Sequence, residues 1–145
     1  MRSSTIEVRE QLMRLKREKL KLEAPTSFSR FLGYSNPKYE LEWFHKLIAD
    51  HCQMLLEGKI KNLMVFMPPQ HGKSEIISRN FPAWALGLNP DLKIVGCSYS
   101  SDLAQQFSRS IQRTIDSKEY QAIFPETYLN GSNIRTDSRG YLRNV

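Results

Sequence analysis

Residues 63–75 read Leu63-Met64-Val65-Phe66-Met67-Pro68-Pro69-Gln70-His71-Gly72-Lys73-Ser74-Glu75. The first five form a continuous apolar run, the pattern of a strand buried on both faces. A proline-containing turn follows, and from Ser74 the pattern turns helical until Pro82 kinks or restarts it. Strand, loop and helix in that order are the setting in which Gly-Lys-Ser grips a phosphate. Successive backbone N–H groups and a helix N-terminus surround the anion, a lysine supplies charge, and a serine hydroxyl holds magnesium. On this reading Gln70, His71, Gly72, Lys73, Ser74 and Glu75 form the nucleotide-binding set, with Lys73 the catalytic cation and Ser74 the metal ligand. ATP and Mg2+ are the implied cofactors.

The usual phosphate-loop pattern has glycine where this chain has Met67. Pro68 and Pro69 lack an N–H, but the cradling donors come later, so the two rings stiffen the approach without deleting a donor. The competing reading is a plain loop-to-helix start, with Gly72 for the turn and Ser74 as a cap. In that case His71 is a loop residue and Glu75 a first-turn acid.

Downstream, Lys93–Tyr99 reads as a second strand, and Ser100 and Ser101 cap a helix with Leu103, Phe107, Ile111 and Ile115 at a spacing of four. The succession predicts an α/β fold, a phosphate-loop NTPase-like parallel sheet with flanking helices, here an incomplete domain. Upstream, Asn36-Pro37 has the form of an N-cap followed by a first-turn proline, and Leu41, Phe44, Ile48 and Leu55 line one face until Gly58. Residues 5–23 read as a helix with a narrow apolar stripe, Val8, Leu12, Leu15 and Leu22, broken by Ala24-Pro25-Thr26-Ser27. Phe28–Tyr34 is aromatic but too short to assign. Past Pro125 the periodicity fades, and 130–145 suggests loop or a weak hairpin. Two parts result: an amino-terminal helical and charged segment, 1–36, and the beginning of a phosphate-loop ATPase domain, 37–145.

The chain has 145 residues, enough for one domain with a core, and its 40% hydrophobic and 25% charged content is that of an ordinary globular protein. No apolar run approaches the roughly 18 residues of a membrane span, and the start lacks a secretory signal. Membrane association is therefore not expected, and an intracellular location is. Cys52 and Cys97 stand far apart without metal-ligand spacing, and both read as small buried thiols. The net charge of +6 permits an anionic partner. Within 1–24, however, seven basic side chains alternate with four acidic ones, as on a solvated helix face.

The run Pro68-Pro69-Gln70-His71-Gly72-Lys73-Ser74-Glu75 resembles the phosphate loop of phage terminase large subunits. The likeness continues through Phe81-Pro82-Ala83-Trp84, Leu86-Gly87 with Pro90, Ser98-Tyr99-Ser100, and Tyr120 with Ile123-Phe124-Pro125. It extends from about Pro37 to Pro125 and implies the ATPase part of a DNA-packaging motor from a phage or prophage. Double-stranded DNA, a terminase small subunit and the portal of the procapsid are the implied partners, with a possible homo-oligomer, in the cytoplasm of a bacterial host. Gln70 stands where many relatives have arginine. Arg109 resembles the arginine finger of such motors, with Arg113 one turn on as the other candidate and a solvated helix arginine as the alternative. Trp43, Phe44 and His45 fall where the family places part of its adenine pocket, although a core-facing stripe explains Phe44 as well. No strand ending in two acidic residues follows Ser74, and no nuclease region is present. An amino-terminal fragment with negligible hydrolysis of its own is the expectation. The competing functions are another phosphate-loop translocase of helicase type and a non-catalytic module that binds a partner through its charged first helix.

Overall fold

The computed structural model describes residues 2–37, 39–129, 135–136 and 142–143. It is a helical assembly. Helix α1 spans Arg2–Glu23, α2 Phe28–Ser35 and α3 Trp43–Leu56. A π-helical segment, Glu75–Asn80, runs directly into α4, Phe81–Leu88; α5 is Ser101–Ile115 and α6 Lys118–Ile123. Among the described residues the only strand pairing is a two-residue antiparallel bridge between β1, Arg135–Thr136, and β2, Leu142–Arg143. The rest of the stretch expected to be loop or weak hairpin lies outside the described residues.

The expected parallel sheet is not formed. Residues 63–68 and 93–98 run without helical or ladder hydrogen bonds and do not pair with each other. Leu63, Val65 and Met67 are half-buried, while Met64 and Phe66 are 80% and 87% exposed. That alternation has the period of a strand, but one face is open where a central parallel strand has both covered. Cys97, expected buried in the second strand, is exposed for the same reason. The helices close the core among themselves, through contacts that need no distant strand partner.

Aromatic side chains dominate that core. Phe28 packs on Trp84 with ring centroids 5.2 Å apart and on Phe81 at 5.4 Å. Phe31 meets Tyr120 edge-on at 6.1 Å, and Tyr120 lies 5.2 Å from Phe124. Such rings bury large area and prefer these tilted geometries. Their polar ends are satisfied: Trp84 Nε1 donates to Ala24 O at 2.9 Å, and Tyr120 Oη donates to Ala83 O at 2.9 Å. The first of these bonds takes up a carbonyl at the C-terminal end of α1, where helix carbonyls lack intrahelical partners. Gln53 of α3 does the same service for the α1–α2 turn, accepting from Phe28 N at 3.1 Å and donating to Thr26 O at 3.1 Å. Gly87 is bare because the Phe124 ring covers it; a Cβ there would sit 2.5 Å from Phe124 Cδ2.

Two boundaries differ from the sequence expectation. Helix α3 begins at Trp43 and not at Pro37, because Glu42 and His45 form a capping box: the Glu42 side chain accepts from the His45 backbone, and the His45 ring accepts from Glu42 N at 3.1 Å. This histidine fills the place that glutamate or glutamine takes in the usual box. The helix after Ser74 opens as a π turn before Pro82 settles into the first turn of α4. The predicted helix at 5–23 forms, but its stripe stays bare: Val8, Leu12, Leu15 and Leu22 are all exposed. Among the described residues no helix is long and apolar enough to cross a membrane.

Candidate functional site

The segment 63–69 leads into a sharply curled loop. Gln70 and Gly72 both have positive φ, 64° and 77°. For Gln70 the left-handed conformation costs about 1–2 kcal/mol, while Gly72 adopts it freely. Left-handed residues at such spacing curve the main chain into a concavity lined by N–H groups. Among the described residues no hydrogen bond takes up the N–H groups of Gln70, Gly72, Lys73 or Ser74, while His71 N closes the turn at Pro69–Gln70. The helix register closes one turn later, with Ile76 N donating to Gly72 O at 3.0 Å. Four donors thus lie at a helix start, the arrangement that attracts anions.

The loop side chains differ in how committed they are. Lys73 is half-buried and makes no ion pair among the described residues. Ser74 is exposed, and its hydroxyl makes no capping bond. Glu75, by contrast, is engaged: Arg79 Nη1 donates to its Oε2 at 2.7 Å and Asn80 Nδ2 to its Oε1 at 3.2 Å. The Asn80 amide also donates to Glu75 O at 2.7 Å, tying off the π turn. His71 turns back on its own loop, with Nδ1 donating to Pro69 O at 2.8 Å. Gln70 is exposed.

The far wall comes from the N-terminal end of α3 and the residues before it. His45 is buried, and its Nε2 lies 3.0 Å from His71 O and 3.0 Å from Tyr39 Oη. The Phe44 and His71 rings are 6.3 Å apart. Tyr39 rests directly on Gly72: a Cβ there would overlap Tyr39 Oη and come within 3.2 Å of His45 Nε2. Burial, and then the nearby Glu75 carboxylate, hold the Tyr39 phenol above its usual pKa.

Of the aromatic trio expected at an adenine pocket, His45 and Phe44 therefore face the loop and Trp43 is exposed. Arg109 and Arg113 are both exposed on α5. Arg109 Nη2 contacts Gln105 Oε1 at 3.5 Å, and among the described residues no hydrogen bond or ion pair joins it to 70–75. No group of three His, Cys, Asp or Glu in the described residues is placed to hold a metal. Sequence reasoning missed Tyr39 entirely. The Glu42-x-x-His45 spacing was the one available sign that α3 starts there, with His45 turned inward.

The family model described as terminase large subunit, T4likevirus-type, N-terminal, matches residues 64–143, which is more than half of the chain and includes the whole loop, α5 and Arg109. No curated protein and no solved structure matches it. Tyr39 and His45 precede the matched region. A curled loop ending in Gly72-Lys73-Ser74 at a helix start, lying inside that match, leaves one conclusion: the chain belongs to the terminase large subunit family, in its N-terminal region.

Proposed function

We propose that this chain binds the phosphates of magnesium-bound ATP through Gln70–Ser74, as the nucleotide-binding part of a phage DNA-packaging ATPase. The observation that carries the reading is the group of four untaken N–H donors at the start of a helix, inside the terminase match. Terminase large subunits are generally ATPases, and the loop has the chemistry that such an activity requires. Lys73, free of any ion pair among the described residues, supplies positive charge to the outer phosphates. The uncommitted Ser74 hydroxyl fits a magnesium ion that takes its remaining oxygens from phosphate and water, since Mg2+ needs few protein ligands. The bound ion would offset phosphate charge. Glu75 is held by Arg79 and Asn80 and keeps the first turn in place without entering the cradle. Arg109, exposed on α5, is the proposed cation for charge developing on the γ-phosphate. Double-stranded DNA, a small subunit and the portal are the partners that this role entails.

Titration of a fluorescent ATP analogue with magnesium tests the proposal. The wild type binds, and Lys73→Ala loses at least about tenfold in affinity, the effect of removing roughly 1.4 kcal/mol of charge-assisted interaction. Equal affinity of the two proteins, or no binding by the wild type, refutes the site.

A further inference from the structure

We infer that His45 is a positioning residue of the phosphate loop: it holds the His71 carbonyl on the outside of the loop and thereby turns the Gly72 N–H inward. The inference rests on the phosphate-binding reading above and deepens it. Glu42 N donates to His45 Nδ1 at 3.1 Å, so Nδ1 carries no proton and the neutral ring bears its hydrogen on Nε2. That hydrogen points between His71 O and Tyr39 Oη, each 3.0 Å away, and both oxygens accept from it. The peptide bond between His71 and Gly72 is planar and trans, so its C=O and N–H point in opposite directions. Fixing the oxygen against α3 therefore fixes the hydrogen on the other side. Without the latch the peptide is free to rotate and present a carbonyl, which repels phosphate.

Neighbouring contacts support the same role. His45 is buried, and its ring is locked at both nitrogens, one by its own helix cap and the other by the loop. Tyr39 lies over Gly72 on the same side as the histidine and closes that face of the loop. Among the described residues, 63–69 brace the loop only locally, through the turn at Pro69–Gln70 and the Pro69 carbonyl that accepts from the His71 ring. The N-terminus of α3 is thus the fixed support, and the histidine transmits its position to a peptide 26 residues away.

The test pairs an apolar replacement with one that keeps a donor. His45→Phe preserves ring volume and removes the N–H; His45→Gln carries an amide N–H of similar reach. Mg–ATP affinity falls about tenfold or more in His45→Phe, about 1.4 kcal/mol, and stays within about threefold in His45→Gln. A merely structural role predicts losses that follow thermal stability and not the presence of the donor. In NMR spectra the Gly72 amide and His71 carbonyl resonances move in His45→Phe, whereas those of α5 do not. Unchanged affinity in a folded His45→Phe, or unmoved loop resonances, overturns the inference. A wild type that binds no nucleotide, with loop resonances that still respond to His45→Phe, overturns the phosphate-binding reading and leaves the latch standing. The ring 15N shifts of wild-type His45 give a check that depends on no variant folding. They report the Nε2–H tautomer, and finding the proton on Nδ1 refutes the donor assignment.

Discussion

Replacing Gly72 with alanine probes the contact between the loop and the segment before α3, and its cost follows from two separable terms. The residue has φ of 77°, and holding an alanine there costs about 1–2 kcal/mol. The new methyl also overlaps Tyr39 Oη and lies 3.0 Å from Tyr39 Cζ and 3.2 Å from His45 Nε2. Overpacking of this kind adds about 1–3 kcal/mol. The expected loss is therefore about 2–5 kcal/mol, or about 5–15 °C in melting temperature for a chain of this size. Circular dichroism melts and urea titrations measure it. A double-mutant cycle then separates the terms, because Tyr39→Ala removes the overlapping ring and leaves the backbone term with only the 3.2 Å approach to His45 Nε2 beside it. In that background Gly72→Ala costs only about 1–2 kcal/mol, a coupling of about 1–3 kcal/mol between the two positions. If Gly72→Ala costs the same in both backgrounds, the tyrosine does not rest on the loop and the geometry argued for this wall is wrong.

Four further outcomes are expected. Burial pushes the Cys52 thiol up to about 11 from an ordinary 9.0, so the folded state holds this proton more tightly than the unfolded one. That protection is complete below pH 9 and is lost as pH rises from 9 towards 11; stability falls over that window, and Cys52→Ala removes the part that begins at pH 9. Thiol reagents followed by peptide mapping label exposed Cys97 well before buried Cys52. Among the described residues Ser108 Oγ is buried without a hydrogen-bond partner, so Ser108→Ala leaves stability unchanged or raises it by up to about 1 kcal/mol, measured by urea denaturation. Arg109→Ala leaves Mg–ATP affinity within about threefold, because a cation acting on the transition state is read in rate and not in ground-state binding; a tenfold loss of affinity by the fluorescence titration counts against that role.

Local signals in the sequence carried most of the helices. The spacing of Leu103, Phe107, Ile111 and Ile115 located α5, and Ser100 marked its start, where its Oγ accepts from Leu103 N at 3.4 Å. Local signals also misled. Asn36-Pro37 has the form of a cap, yet the cap that forms is Glu42 with His45, a pairing that becomes visible only once the ring is known to turn back. Leu63–Met67 and Lys93–Tyr99 have strand-like composition, but pairing depends on where a partner lies, and residue type does not encode that. Cys97 was misjudged for the same reason. The candidate loop was readable because its donors are near neighbours in sequence. Its support was not, since Tyr39 and His45 reach Gly72 and His71 from a separate part of the chain, and neither a lone tyrosine nor a lone histidine advertises such a contact.

The extended stretch before the loop has a mechanical consequence. A chain section without ladder hydrogen bonds carries tension through its covalent backbone but resists bending only through the side chains that touch something firm. From Leu63 to Pro69 those are alternate residues on one side, and the first rigid element after them is the turn closed by Gly72 O and Ile76 N. The loop is therefore sprung from its downstream end and from α3, like a cantilever braced near its tip. Opening it breaks few bonds at once, which places it among the parts of a fold that open at the lowest free energy. A load applied through residues 63–69 would be taken up first at the His45 brace, before any of it reached the aromatic core around Trp84.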